Sequence, residues 1–119
     1  MAFTVNHVEW DTLDPNVLKD FLSGVFGWQF APFGENYFVT DSKQTGASVG
    51  INKNPRAVIG NGTPNVYIDV PSIDETVAKA KALGGDMVVP KTEMGMGSFG
   101  FIKAPDGNLI GLFEFAKAK

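Results

Sequence analysis

The chain contains no cysteine, which excludes disulfide staples, thiolate zinc sites and cysteine nucleophiles. Histidine occurs once, at His7, so no histidine-rich metal site can be built. Basic residues are outnumbered, 10 Lys and Arg against 13 Asp and Glu, for a formal net charge of −3. Without a basic excess to neutralise phosphates, nucleic acid is excluded as a main partner. No apolar run approaches the roughly 20 residues of a membrane span, and Met1 leads into Ala2-Phe3-Thr4 without the basic start of a secretory leader. The expectation is a cytoplasmic protein with no membrane partner. Also missing are G-x-S-x-G, H-E-x-x-H and a P-loop.

What is present is globular. Hydrophobic residues make up 44% and charged residues 19% of 119 residues, a composition that builds one core and not a disordered chain. Phe3–Asp11 reads as a strand with Val5, His7, Glu9 and Asp11 on one face and Val8 and Trp10 on the other. Asp14-Pro15 reads as an N-cap and first helical position. Leu18, Phe21, Leu22 and Val25 then form one apolar stripe, ending near Gly27. Residues 28–33, 37–41 and 47–52 read as three short strands. The turns between them are Gly34-Glu35-Asn36 and the polar stretch Ser42–Gly46.

Lys53–Pro64 has no period and reads as a loop; the grammar then restarts. Residues 65–70 form a strand with Asn65, Tyr67 and Asp69 on one face. Ser72 and Glu75 make a capping box that opens a helix stopping at Gly84-Gly85. Strands follow at 87–92, 98–103 and 109–115, with a turn at Ala104-Pro105-Asp106-Gly107. The interval from His7 to Asn65 equals that from Gly27 to Gly85, which marks an internal duplication. The fold class is α+β: two βαβββ modules, 1–53 and 65–116, joined by loop 54–64 within a single domain, 1–119. Two such sheets would leave their open faces around a shared cup.

The alternating His7, Glu9 and Asp11 suit acid–base work or ligation, or solvated positions at a strand end. Asn65, Tyr67 and Asp69 take the corresponding places in the second half. Phe99, Phe101, Phe113 and Phe115 stand at strand spacing; aromatics at period two usually fill a core, and here could instead line the cup. Gly95-Met96-Gly97-Ser98-Phe99-Gly100 fits G-x-G-x-x-G, but a strand pattern follows where a nucleotide loop needs a helix, so it reads as a hairpin. Met94 and Met96 would be adaptable apolar contacts on it. Arg56, the sole arginine, is either a clamp for an anionic ligand or a solvated loop residue.

Three segments carry a family likeness: Asn6-His7-Val8-Glu9-Trp10, Val25-Phe26-Gly27-Trp28, and the closing run from Phe101 through Pro105-Asp106-Gly107-Asn108 to Glu114. With these the sequence resembles the vicinal oxygen chelate superfamily, which includes glyoxalase I, bleomycin-resistance proteins and extradiol dioxygenases. Pro90–Gly97 resembles the lactoylglutathione-lyase-related branch. The resemblance implies paired βαβββ modules, a small-molecule ligand and a homodimer. It also implies one divalent metal, whose ligand positions fall on His7, Gly50, Asn65 and Gly111. Two glycines and a neutral amide are not the usual donors, so no cofactor is expected and His7 is the one candidate metal ligand. Small residues at Gly50 and Gly111 would open volume for an organic ligand. The implied activities are catalysis on an oxygenated or carbonyl metabolite (His7 and Glu9), ligand sequestration without catalysis, and the metal-dependent lyase or dioxygenase reaction. Asn65, Tyr67, Phe101, Phe113, Met94, Met96 and Arg56 are the expected ligand contacts.

Overall fold

In the computed structural model the described residues are 5–55 and 66–116. Arg56 and Asn65, and most of the expected loop between the halves, lie outside them. The chain divides into two compact units, Met1–Ile59 and Gly60–Lys119.

Unit 1 runs β1 (His7–Thr12), α1 (Pro15–Phe26), β2 (Phe30–Pro32), β3 (Tyr37–Thr40), α2 (Ser42–Thr45) and β4 (Ser48–Lys53). Its sheet has the order β1-β4-β3-β2, with β1 parallel to β4 and the other pairs antiparallel. Asp14 caps α1 by accepting from the Val17 N–H at 3.3 Å, and Gly27 closes it in the left-handed region at φ 75°. The stripe of Leu18, Phe21, Leu22 and Val25 is buried, together with Trp10, Thr12, Val49 and Ile51. Because side chains alternate along a strand, burying Trp10 and Thr12 beneath α1 turns His7, Glu9 and Asp11 to the other face.

Unit 2 runs β5 (Tyr67–Asp69), α3 (Ile73–Ala82), β6 (Asp86–Glu93), β7 (Gly97–Lys103) and β8 (Leu109–Phe115), in the order β5-β8-β7-β6. Ser72 caps α3 by accepting from the Glu75 N–H at 3.2 Å. Glu114 adds a second acceptor at this helix start, taking the Ile73 N–H at 2.7 Å. Ile73, Val77, Ala80, Ile102, Ile110 and Leu112 form the core. The fold is α+β, two βαβββ units, as the pattern predicts.

The structure corrects several details. Among the described residues the first strand begins at His7, leaving out Val5 and Asn6, and reaches Thr12, which stays in register with Lys53 of β4. Ser42–Gly46 is not a plain turn but one turn of helix, capped by Asp41 and closed by Gly46 at φ 79°. The segment read as a strand at 28–33 shrinks to Phe30–Pro32, and in the described part of 65–70 the strand covers Tyr67–Asp69 alone. Strand β6 is longer than expected and shifts register between Met87 and Val89 and again between Val89 and Thr92; the second interval contains Pro90, whose missing N–H cannot join a ladder. Phe99, Phe101, Phe113 and Phe115 do not fill the helix-packed core. They alternate with the buried Gly100, Ile102 and Leu112 and so lie on the face away from α3.

Candidate functional site

The open face of the unit 1 sheet carries its polar residues in three adjacent rows. Strand β1 supplies His7, Glu9 and Asp11; β4 supplies Ser48, Gly50 and Asn52; β3 supplies Tyr37 and Val39. Strand register places Ser48 beside His7, Gly50 beside Glu9, and Asn52 between Asp11 and Tyr37. The hydrogen bonds follow this grid. His7 Nδ1 lies 2.6 Å from Ser48 Oγ, and His7 Nε2 lies 2.8 Å from the Tyr37 hydroxyl. Tyr37 donates to Glu9 Oε1 at 2.9 Å. Asp11 accepts from the Asn52 and Asn54 side-chain amides at 3.2 and 3.1 Å.

These contacts constrain the protons. The Tyr37 hydroxyl has one hydrogen, and giving it to Glu9 leaves its oxygen to accept from His7 Nε2–H. Ser48 also has one hydrogen, which goes either to His7 Nδ1 or to the Asn6 carbonyl 3.1 Å away. In the second case the ring must donate from both nitrogens. Tyr37 is pushed up from the usual 10.0 to about 12, by its burial first and then by its bond to Glu9 and the negative charges of Glu9 and Asp11. Its hydroxyl therefore stays protonated through the physiological range.

Gly50 makes the arrangement sterically feasible. A Cβ there would lie 2.6 Å from Tyr37 Cζ, 2.8 Å from His7 Nε2 and closer still to the Tyr37 hydroxyl. The volume expected above this glycine is thus filled by the chain's own phenol. At Gly111 the neighbour is likewise a tyrosine, with Tyr67 Cδ2 2.8 Å from where a Cβ would stand. Tyr67 packs edge-on against Phe101 with centroids 5.3 Å apart, and Phe113 against Phe115 at 4.7 Å. Met94 and Met96 are exposed at the β6–β7 hairpin. His7, Glu9 and Gly50 come together in unit 1, whereas Tyr67, Phe101, Phe113, Gly111, Met94 and Met96 belong to unit 2.

Beside the network lies an open cavity of about 460 Å³, lined by His7, Phe33, Glu35, Tyr37, Val39 and Asn52. Tyr37, Phe33, Glu35, Val39, Ser48 and Asn52 are the site residues that sequence reasoning missed. Tyr37 reads as an ordinary strand aromatic; the available signal was a glycine one strand away, which leaves room for a larger neighbour.

Asn65 lies outside the described residues, and the described donors at the other expected positions do not make up a set for a divalent metal. Among the described residues no group of three or more His, Cys, Asp or Glu side chains is placed to hold an ion. Gly50 and Gly111 offer no side-chain donor, and both His7 nitrogens are already turned to hydroxyl oxygens.

Comparison with known proteins places this geometry in a context. The Glyoxalase/Bleomycin resistance protein/Dioxygenase superfamily model matches residues 4–112. A Mycobacterium bovis protein named "Putative glyoxylase CFP32" is 29% identical over 118 residues, 93% of this chain; the chain spans 45% of that relative's length. A crystal structure of a glyoxalase/bleomycin resistance protein/dioxygenase family enzyme from Burkholderia phytofirmans PsJN has a TM-score of 0.76 at 17% identity, covering 94% of this chain and 98% of that one. A mutant of the fosfomycin resistance protein FosX from Listeria monocytogenes, complexed with Mn(II) and 1S,2S-dihydroxypropylphosphonic acid, has a TM-score of 0.76 at 20% identity, covering 95% and 90%. At these identities the likeness to the solved structures is one of fold.

Proposed function

Because the chain belongs to the glyoxalase, bleomycin resistance and dioxygenase superfamily, we propose that it captures a small organic molecule in the unit 1 cavity without a divalent metal and without turning the molecule over. The observation that carries this reading is the hydrogen-bond chain His7–Tyr37–Glu9 above Gly50. Its protons are spent within the chain, and its phenol is held protonated. A floor whose imidazole and phenol are each tied to neighbouring side chains is rigid and recognises shape and charge. The imidazole nitrogens that a catalytic base would offer to a substrate are turned to Ser48 and Tyr37. The cavity beside it combines aromatic walls with a few convergent polar groups, the usual make-up of a small-molecule site.

The test is a ligand library screened by thermal shift in the presence of a chelator. Binding should raise Tm with no product formed on long incubation, and Tyr37→Phe should weaken it severalfold. Hits that require added metal, or that are consumed, would contradict the reading.

A second reading is favoured by the continuity of the circuit. An imidazole linked through a phenol to a carboxylate can pass a proton when His7 carries both ring hydrogens: Tyr37 gives its proton to a ligand oxygen and His7 Nε2–H replaces it. The substrate would then be an oxygenated or carbonyl metabolite. Solvent-deuterium exchange into a panel of α-hydroxy carbonyl compounds, followed by NMR, separates the two readings. Exchange that persists with chelator and disappears in His7→Ala supports catalysis; no exchange beyond the buffer rate supports capture.

A further inference from the structure

We propose that the unit 1 cavity selects an organic cation, an alkylated ammonium on an apolar body; this rests on the reading of that cavity as the ligand site. The first ground is charge. The described charged side chains on this face of the sheet are the carboxylates of Glu9, Asp11 and Glu35. His7 is the one group there that can carry positive charge, and it faces Glu9 across the Tyr37 hydroxyl. The described lysines of unit 1 lie elsewhere. Lys19 sits 5.0 Å over the Phe38 ring on the α1 side, Lys43 is in α2, and Lys53 alternates with Asn52 and so takes the opposite face.

The second ground is the aromatic lining. Phe33 is 71% exposed and meets Tyr37 edge-on, with centroids 6.3 Å apart and planes at 70°. Two rings at a steep angle offer one π-face and one ring wall to the same volume, a corner that attracts cations through the ring quadrupole. Phe33 offers no hydrogen bond, so a poorly hydrated alkylated ammonium loses less there than a bare ammonium.

The third ground is hydrogen-bonding capacity. Glu35 makes no hydrogen bond or ion pair with another described residue. Asn52 spends an amide hydrogen on Asp11, which leaves its carbonyl oxygen as an acceptor. The Tyr37 hydroxyl proton goes to Glu9. Glu35 is set on the rim by a tight hairpin, with Gly34 at φ 69° and Asn36 at φ 64° on either side and Phe33 N–H bonded to Tyr37 O at 2.9 Å. Acceptors and a negative field with no opposing described lysine disfavour an anionic ligand.

The experiment titrates the full chain by NMR with benzyltrimethylammonium, its neutral carbon isostere neopentylbenzene, and the anion phenylacetate. The ammonium should bind about tenfold more tightly than the isostere. It should perturb Phe33, Glu35, Tyr37 and Asn52 signals and weaken as salt rises. Glu35→Gln, with folding checked by circular dichroism, should lower ammonium affinity severalfold and leave the isostere unchanged. Equal or tighter binding of the isostere or of phenylacetate at the same residues overturns the charge preference while the cavity stands as a ligand site. No perturbation of these residues by any of the three overturns both.

Discussion

At the scale of single residues, the decisive pair is Gly50 and Tyr37. A glycine at the centre of a strand costs packing, and here its lack of a Cβ admits a phenol from the neighbouring strand. Gly50→Ala should displace Tyr37 from His7 and Glu9. With two tyrosines in the chain, absorbance titration reads the effect directly. In the wild type one phenol should ionise near 12; in Gly50→Ala, and also in Glu9→Gln, that transition should move toward the usual 10.0. The sign for stability follows. Tyr37 holds its proton more tightly folded than unfolded, so its contribution is fully present below pH 10 and is lost as pH rises toward 12. Chemical denaturation across that window should show wild-type stability falling, with a smaller fall in Tyr37→Phe.

At the scale of elements, helix starts and strand alternation were the most legible features. Asp14-Pro15 and Ser72 stand at the caps because a short acceptor side chain there satisfies N–H groups the helix leaves open. Ser72→Ala should cost about 1 kcal/mol of stability in urea unfolding. Glu114→Gln should cost less than Glu114→Ala, since the amide oxygen can still accept from the Ile73 N–H. Helix α2 was illegible because one turn is too short to show a period, and its signals, Asp41 and Gly46, also mark turns. The bulged path of β6 was hidden because register depends on the partner strand. The candidate site was half legible. The period-two polar face of β1 shows in the sequence, whereas its meeting with Tyr37 depends on how β3 and β4 pair.

At the scale of the whole molecule, the duplicated plan is occupied differently in its two halves. Unit 1 places imidazole, phenol and carboxylate over its last-strand glycine, while unit 2 places the Tyr67 ring over its own. Charged and hydrogen-bonding groups therefore gather on the open face of unit 1, and aromatic area gathers on the corresponding face of unit 2. No helix among the described residues is long and apolar enough to cross a membrane. The chain keeps the family fold, and the proposed reading is that it does so without the family's metal, since one fold can host different sites. Titration calorimetry of the chelator-treated protein with Mn(II) and with Zn(II) tests this most directly. The account predicts no saturable site and no shift in Tm; one ion per chain bound at micromolar Kd or tighter, with the His7 ring signals moving on binding, would contradict it.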